Sequence, residues 1–329
     1  MPRLYDVVAI GNAIVDVIAP ASERFLQAEG LAKGAMTLID ESRAHALYAR
    51  MAPGVEASGG SAANTAAGVA SLGGRAAFLG KIADDQLGEV FAHDMRAIGV
   101  EFRGGALVGG PSTGRCLANV TPDGERTMCT YLGAAVELGH DDIDSAVVEG
   151  GAVLYLEGYL FDPPEARRAF ARAAGLARGA GRSIALSLSD AFVVDRHRET
   201  LLGFIRGQVD VVFANEAELL SLFRTSDFSV AARSAADLAR IVAVTRGENG
   251  SVIIADGEQL AVGALAVDRV ADTTGAGDQY AAGFLHALAN GKSLDVCGRL
   301  ASLAAAEVIS HYGPRPQVCL RELATAQGL

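Results

Sequence analysis

The feature that most constrains the fold is an alternation of short β-branched runs with longer amphipathic stretches over residues 152–262. The β-branched runs are typical of buried strands, and the stretches between them have helical spacing. Strands separated by helices form a parallel sheet that the helices cover, so the sequence predicts an α/β fold. The predicted strands are 152–156, 183–188, 209–214 and 241–245, and the predicted helices are 164–178, 197–206 and 216–223.

Further strand-like segments extend this pattern. Residues 6–10 and 76–82 are predicted to join the same sheet. Residues 14–20 and 106–132 alternate like strands but are interrupted by Gly, Pro and Asp turns. Because they flank the helix-rich region 61–98, we expect them to pair as a small β-rich lobe over the sheet edge. Since the chain has no repeat and no Pro- or Ser-rich linker, the lobe is predicted to be an insertion in one domain.

Charge and cysteine usage limit the possible partners. The 329 residues include 39 acidic and 28 basic side chains, a net charge of −11, which repels polyanions and argues against a nucleic-acid partner. Asp6, Asn12 and Asp16 interrupt the apolar N-terminal run, so no membrane partner and a cytoplasmic location are expected. The 4 cysteines, with no CxxC pair, predict neither a disulfide framework nor a zinc site.

The sharpest chemical signal is VADTTGAGDQYAAGFLHAL, residues 270–288. Its apolar spacing predicts a helix that starts near Gly277, after a turn of small residues. The unpaired N–H groups at a helix start form an anion site, and Gly275, Ala276 and Gly277 would let a phosphate approach them closely. Asp278 lies directly at this predicted site.

Asp278 has two interpretations. An aspartate at a helix start commonly caps the helix. A cap needs none of the small residues beside it, whereas a carboxylate next to a phosphate site can take the proton from an attacking hydroxyl. We therefore favour a general base. The Gly-Lys-Ser at 291–293 has His286 where a Walker A loop requires its first glycine, and it is predicted to be a helix-end turn.

A second polar group suits a substrate with neighbouring hydroxyls. Asn12 and Asp16 lie four residues apart around a strand that leaves the sheet, and Gly59, Gly60 and Asn64 follow in a glycine-rich segment. Carboxylate and amide groups beside glycine backbone suit the vicinal hydroxyls of a ribose. Alternatively, Asp16 is an exposed charge on an edge strand and Asn64 caps a helix.

Four segments resemble motifs of the PfkB, or ribokinase-like, carbohydrate kinase family, in that family's order. SGGSAANTAAGVASLGG (58–74) is similar to its first signature, and DTTGAGD followed by AAGF resembles its second. FANEAE (213–218) resembles the Asn-x-x-Glu motif, and VTRGENGSVI (244–253) resembles the nucleotide-binding strand and turn. The resemblance covers essentially the whole chain.

This resemblance implies a fold and an activity. The implied fold is a ribokinase-like three-layer α/β/α sandwich, one kinase domain over residues 1–329, with a small β-rich lid formed by about 14–37 and 101–132. The implied reaction uses ATP and Mg²⁺, with K⁺ as a further cofactor in many family members. A nucleoside or sugar is the expected small-molecule partner, and the protein is expected to be a monomer or a homodimer.

Within the family, residues 11–40 and 125–135 look most like the adenosine kinase branch. That branch implies phosphorylation of the 5′-hydroxyl of adenosine to give AMP, as in purine salvage. The alternatives are a sugar kinase of the ribose or fructose type and a nucleoside-binding regulator without turnover. The intact Asp278 argues against the regulator, because binding alone needs no base there.

The resemblance also assigns residues on the nucleotide side. Arg126 stands where the adenosine kinase branch has an arginine facing the transferred phosphate, although it could instead be a solvated turn residue. Asn215 and Glu218, at a strand-to-helix junction, could organise Mg²⁺ through water, form a capping box, or do both. Asp272 and Thr274, with nearby backbone carbonyls from 308–315, match the place of a monovalent cation.

The remaining assignments concern residues that would bind the nucleotide and residues that would bind the nucleoside or sugar. Residues 245–247 are expected to line the nucleotide's base and ribose or to form an ordinary turn; they are Thr245, Arg246 and Gly247. An apolar base pocket, which a lid core would explain equally well, would be Ile14, Met36, Cys116, Met128 and Leu132. The predicted substrate-binding polar set is Asn12, Asp16, Gly59, Gly60, Ser61 and Asn64. Gln279 departs from the family, which usually has Ala or Thr after the catalytic aspartate.

Overall fold

The computed structural model describes residues 3–329, in which strands and helices alternate over most of the chain. The strands are β1 (Tyr5–Ile10), β2 (Ile14–Pro20), β3 (Met36–Leu38), β4 (Val55–Gly59), β5 (Ala76–Leu79), β6 (Ile82–Ala83), β7 (Val100–Phe102), β8 (Ala106–Leu107), β9 (Gly114–Val120), β10 (Arg126–Tyr131), β11 (Gly151–Glu157), β12 (Ser183–Ser187), β13 (Val211–Asn215), β14 (Ile241–Thr245), β15 (Ser251–Ala255) and β16 (Glu258–Val262). The helices are α1 (Glu23–Ala28), α2 (Glu41–Tyr48), α3 (Ser61–Ser71), α4 (Gln86–Ala97), α5 (Ser145–Gly150), α6 (Pro164–Gly179), α7 (Ala191–Gln208), α8 (Glu216–Phe223), α9 (Phe228–Ala235), α10 (Ala276–Ala289), α11 (Leu294–Ile309) and α12 (Leu320–Ala326).

A nine-stranded sheet forms the centre of the molecule, in the order β16-β15-β14-β13-β12-β11-β1-β5-β7. The pairs between β7 and β14 are parallel, and β14, β15 and β16 pair antiparallel at one edge. Successive side chains of a strand point to opposite faces, so Val7 packs with α3, α10 and α11, while Val8 packs with α5, α6 and α7. The result is the predicted three-layer α/β/α sandwich.

A five-stranded second sheet, in the order β3-β10-β9-β2-β4, stands over one edge of the large sheet. One of its faces packs against α1 and α2 around a small core of Val17, Leu47, Leu117 and Cys129. Three details differ from the predicted lid. Residues 55–59 add an edge strand, β4, that lacks a strand-like apolar alternation. β7, which lies largely within the predicted range 101–132, belongs to the large sheet through its pairing with β5, and β8 pairs with β6 in a separate two-stranded sheet. That the second sheet moves as a lid stays a prediction.

Most of the predicted strands and helices are present in the structure, although the first or last residues of several of them differ. The predicted helix 197–206 is part of the longer α7, which has a kink at His197. The predicted strand 76–82 divides into β5 and β6. The Gly-Lys-Ser segment forms a turn, because Gly291 has φ +70° after α10 and Ser293 caps α11. Within residues 3–329, we find no helix that combines the length and apolar character needed to cross a bilayer.

Candidate active site

A cavity of about 530 Å³ lies between the carboxyl ends of the large sheet's strands and the inner face of the second sheet. Open parallel sheets bind ligands at this edge, where strands end and helices begin. The cavity is lined by residues at or just after the carboxyl ends of β1, β11, β12, β13 and β14, by the inner face of the second sheet, and by the first turn of α10. Most of the predicted site residues meet here.

The start of α10 has the geometry of an anion site. Gly275 precedes the helix with φ +80°, and a Cβ there would lie 2.6 Å from Pro314 Cα. Only glycine fits both the conformation and the close approach of Pro314. Ala276 N donates to Thr273 O at 3.2 Å, and the N–H groups that follow belong to a first turn, where helices lack their own acceptors. This turn lines the cavity together with Asp278.

Asp278 is held by α3 and does not cap its own helix. Gly275 is the N-cap residue of α10, and no side chain caps this helix. The carboxylate of Asp278 accepts from Ser61 Oγ at 2.6 Å and from Asn64 Nδ2 at 3.0 Å. Burial raises the pKa of Asp278, while these hydrogen bonds and the charge of Arg315 act in the opposite direction. The geometry therefore suits a base better than a cap.

Asp16 projects from the interior of the second sheet, since β2 lies between β9 and β4. This position excludes the alternative of a charge on an edge strand. A Cβ at Gly59 would collide with the Asp16 carboxylate, and Gly60 has φ +94°, where a Cβ would collide with the carbonyl oxygen of Asn12. Burial raises the pKa of Asp16 to about 6, against the opposing charges of Arg315 and Arg126. The glycines thus let a carboxylate and an amide reach one end of the cavity.

Sequence reasoning missed Glu157, the last residue of β11, which is only 1% exposed. Its Oε1 accepts from Asn12 Nδ2 at 2.6 Å and from Asn12 N at 3.3 Å, and its Oε2 accepts from Ala62 N at 2.9 Å. Burial raises the pKa of Glu157 to about 7. Asn12 Oδ1 stays buried without a partner among the described residues, so it can accept a substrate hydroxyl. The signal in the sequence was a polar residue at the end of a buried strand.

The predicted apolar pocket forms one wall of the cavity. All five residues assigned to it line the cavity, and they are Ile14, Met36, Cys116, Met128 and Leu132. Residues of the opposite face, such as Val17 and Leu117, build the small core against α1 and α2 instead. The structure therefore favours a pocket wall over the alternative of a lid core.

On the nucleotide side, Asn215 and Glu218 form a reciprocal capping box at the start of α8. Asn215 Oδ1 accepts from Glu218 N at 2.8 Å, and Glu218 Oε2 accepts from Asn215 N at 3.0 Å. Both residues also line the cavity, as Thr245 does, and burial raises the pKa of Glu218 to about 7. Arg246 and Gly247 are not among the lining residues. The Arg246 guanidinium stacks on Phe228 instead, 3.9 Å from the ring centroid.

Arg126 and Asp272 form an ion pair beside the cavity. Arg126 Nη2 lies 2.9 Å from Asp272 Oδ2, and the two side chains are only 9% and 8% exposed. Asp272 also accepts from Thr274 Oγ1 at 2.7 Å and from Gly313 N at 3.0 Å, so the segment 308–315 is adjacent to it, as predicted. Arg126 further packs on the ring of Tyr312 and does not line the cavity. In residues 3–329, no group of three or more His, Cys, Asp or Glu side chains is arranged to hold a metal ion.

Replacing Gly275 with alanine should damage both stability and turnover. The left-handed conformation alone costs about 1 to 2 kcal/mol in a residue with a Cβ, and the contact with Pro314 adds to it. Gly257→Ala is the matched control, because Gly257 has φ +77° and a Cβ there would meet nothing within 4 Å. We expect Gly275→Ala to lower the thermal midpoint more than Gly257→Ala does. Only Gly275→Ala should also lower kcat. Equal effects would contradict a role for the Pro314 contact.

Comparisons with known proteins agree with this geometry. The family model described as "pfkB family carbohydrate kinase" matches residues 6–319. The crystal structure of adenosine kinase from Sinorhizobium meliloti is 53% identical, with a TM-score of 0.92, and the alignment covers 98% of this chain and 99% of that one. A probable sugar kinase protein from Rhizobium etli CFN 42 is 50% identical, with a TM-score of 0.93, covering 100% of this chain and 99% of that one.

One curated relative is named as a fructokinase. Fructokinase-1 from Oryza sativa subsp. japonica is 31% identical over 238 residues, which is 70% of this chain and 73% of the relative. The ribokinase-like fold predicted from the sequence is confirmed by the two solved structures. On the strength of the family match over nearly the whole chain, the protein belongs to the pfkB family of carbohydrate kinases and is itself a kinase.

Proposed function

We propose that the protein transfers the γ-phosphoryl group of ATP to the 5′-hydroxyl of a nucleoside, with adenosine as the preferred substrate. The observation that carries this proposal is the composition of one cavity, which has an apolar wall on the second sheet and a polar end at Asn12 and Asp16. A purine buries aromatic surface against such a wall, and a ribose presents two hydroxyls to the polar end. The 53% identity to an adenosine kinase supports the same choice.

In this proposal different residues of the chain bind the substrate, accept its proton and stabilise the transferred phosphoryl group. Asp16 and Asn12 hold the ribose hydroxyls and so bring the 5′-hydroxyl toward α10. Asp278 accepts the proton of that hydroxyl as its oxygen attacks phosphorus. The first-turn N–H groups of α10 stabilise the charge on the transferred phosphoryl group, and the leaving group is ADP.

The residues around the cavity also fit a magnesium nucleotide. Mg²⁺ keeps several waters and is held largely by substrate phosphates, and the buried carboxylate of Glu218 at the cavity wall would bind such waters. When bound, the ion neutralises phosphate charge. A monovalent cation at Asp272 and Thr274 remains part of the proposal, with backbone carbonyls of 308–315 as its other ligands.

We also propose that the second sheet closes over the bound substrates as a lid within a single kinase domain. Closure would exclude water, which otherwise competes as the acceptor. Arg126 belongs to this sheet and is paired with Asp272. Its predicted contact with the transferred phosphate therefore requires that it leave Asp272 when the lid closes.

A sugar kinase of the same family is the second candidate. It is favoured by the 50% identity to a probable sugar kinase protein and by the match to a fructokinase. Asp278, the anion site and the polar end of the cavity would serve this reaction equally well. The apolar wall of the cavity distinguishes the two candidate functions. A purine base would pack against this wall, whereas a free sugar has no apolar group to contact it.

Adenosine should therefore be turned over with a much higher kcat/KM than ribose or fructose. One apolar contact discriminates by about 10- to 200-fold, so a whole purine ring should give a ratio above about 10³. ADP release is measured with MgATP and adenosine, inosine, ribose or fructose, and a sample without acceptor corrects for ATP hydrolysis. Equal values, or faster turnover of a sugar, would refute the nucleoside assignment and leave the kinase reaction standing.

A further inference from the structure

We propose that Arg315, in the loop between α11 and α12, is a positioning residue that orients Asn64 and through it the carboxylate of Asp278. The inference rests on the proposed function, since it takes Asp278 as the base. No sequence motif pointed to Arg315. Its importance follows from three contacts, each with a different part of the fold.

The guanidinium of Arg315 connects α3, β4 and α4. Nε donates to Asn64 Oδ1 at 3.1 Å, Nη1 donates to Ser58 Oγ at 2.6 Å, and Nη2 lies 3.5 Å from Met95 Sδ. A planar fork of fixed donors holds several acceptors in one geometry, which the single ammonium of a lysine cannot do. Arg315 therefore fixes the place of Asn64 relative to the neighbouring elements.

This contact decides which way the amide of Asn64 faces. Arginine carries donors only, so the oxygen of Asn64 must face Arg315 and the Nδ2 group must face the other side. On that side, Nδ2 donates to Asp278 Oδ2 at 3.0 Å. Without Arg315 the amide is free to rotate, and its oxygen would then repel the carboxylate. The chain Arg315, Asn64, Asp278 thus favours the ionised form of the carboxylate and opposes the effect of burial on its pKa.

Gln279 connects the loop that carries Arg315 to the backbone of Asn64. Its fully buried Nε2 donates to Asn64 O and to Pro314 O, both at 3.0 Å. Gly68 makes room for this side chain, because a Cβ there would collide with Gln279 Oε1. The residue that departs from the family pattern thus links α3 to the loop that carries Arg315.

Arg315 also supplies positive charge to the carboxylates of Asp278 and Asp16. Its charge opposes the effect of burial on the pKa values of Asp278 and Asp16. Burial lowers the pKa of Arg315 itself to about 10, so it stays charged at neutral pH. Asp278 interacts electrostatically with ionisable groups on four neighbouring parts of the fold. They are Asp16 on β2, Tyr155 and Glu157 on β11, Tyr159 just after β11, and Arg315 in the loop before α12.

The test is the pH dependence of kcat in Arg315→Met, with both substrates saturating. Under saturation the acid limb of kcat reports groups in the enzyme–substrate complex, where Asp16 is already engaged. Removing a nearby positive charge favours the protonated carboxyl, so the limb should move to higher pH by about one unit. We also expect kcat at neutral pH to fall by about 10-fold or more. Arg321→Met, an exposed arginine of α12, is the matched control and should leave both quantities unchanged.

Arg315→Lys keeps the charge without the fork, and it serves as the second variant should the methionine variant not fold. The lysine variant should move the acid limb less than the methionine variant does, because it keeps the charge, but it should still lose turnover. A methionine variant with an unmoved limb, or a lysine variant with wild-type kcat, would overturn the inference. Asp278→Asn distinguishes a failure of the proposed function from a failure of the Arg315 inference. Normal turnover in that variant would refute Asp278 as the base, whatever the Arg315 variants show.

Discussion

Asp278→Asn is expected to lower kcat by about 10² to 10⁴ while the fold and the binding of MgATP persist. Asparagine has the size of aspartate and can still accept a hydrogen bond from Ser61 Oγ, which lies 2.6 Å from the carboxylate. Its amide cannot take the proton of the attacking hydroxyl. Turnover and the thermal midpoint are measured on the same preparation.

The matched control for this variant is Asp295→Asn. Asp295 is an exposed aspartate in the first turn of the neighbouring helix α11, where it pairs with Arg299 at 3.1 Å. Its replacement should leave kcat unchanged, which separates the loss of a base from the loss of a charge at a helix start. Turnover of Asp278→Asn near the wild-type value would remove Asp278 from the mechanism.

Asp16→Ala should raise the KM for the nucleoside by about two decades or more. Each charge-assisted hydrogen bond to a ribose hydroxyl is worth about 1.5 to 3 kcal/mol, and the proposed clamp makes two of them. The KM for ATP should barely change, because the anion site at α10 lies on a separate element. Steady-state kinetics with each substrate varied in turn give both values. An unchanged nucleoside KM would mean that Asp16 does not hold the ribose.

The pH dependence of nucleoside binding offers an internal check on Asp16. Burial raises the pKa of this carboxyl to about 6, so it becomes protonated as the pH falls through that value. The protonated form accepts hydrogen bonds weakly, and the nucleoside KM of the wild type should therefore rise below about pH 6. Asp16→Asn has no such group and should show a flatter profile in this range.

The layered fold was predictable because its signals are local. Residues 152–156 and 241–245 indicate buried strands by their own composition, and the predicted helix 216–223 coincides with α8. The turn and helix start at Gly275 to Gly277 were predictable for the same reason, since these small residues are adjacent in the chain. Such patterns need no knowledge of distant residues.

Other features depend on partners far away in the chain. Glu157 acts on Asn12 across 145 positions, and Arg315 acts on Asn64 across 251. Nothing near Arg126 in the sequence indicates that it pairs with Asp272. Charged side chains of this kind resemble ordinary surface residues until the fold shows what they face.

The contact of the loop at residues 313–315 with the start of α10 has a consequence for protein synthesis. Pro314 packs against Gly275, and Arg315 donates to Asn64, so the cleft takes its final form only when residues 313–315 are in place. A nascent polypeptide that has left the ribosome only as far as α11 already contains all nine strands of the large sheet. It still lacks Arg315, which we propose aligns the base, and so it should not phosphorylate its substrate until residues 313–315 have left the ribosome and folded.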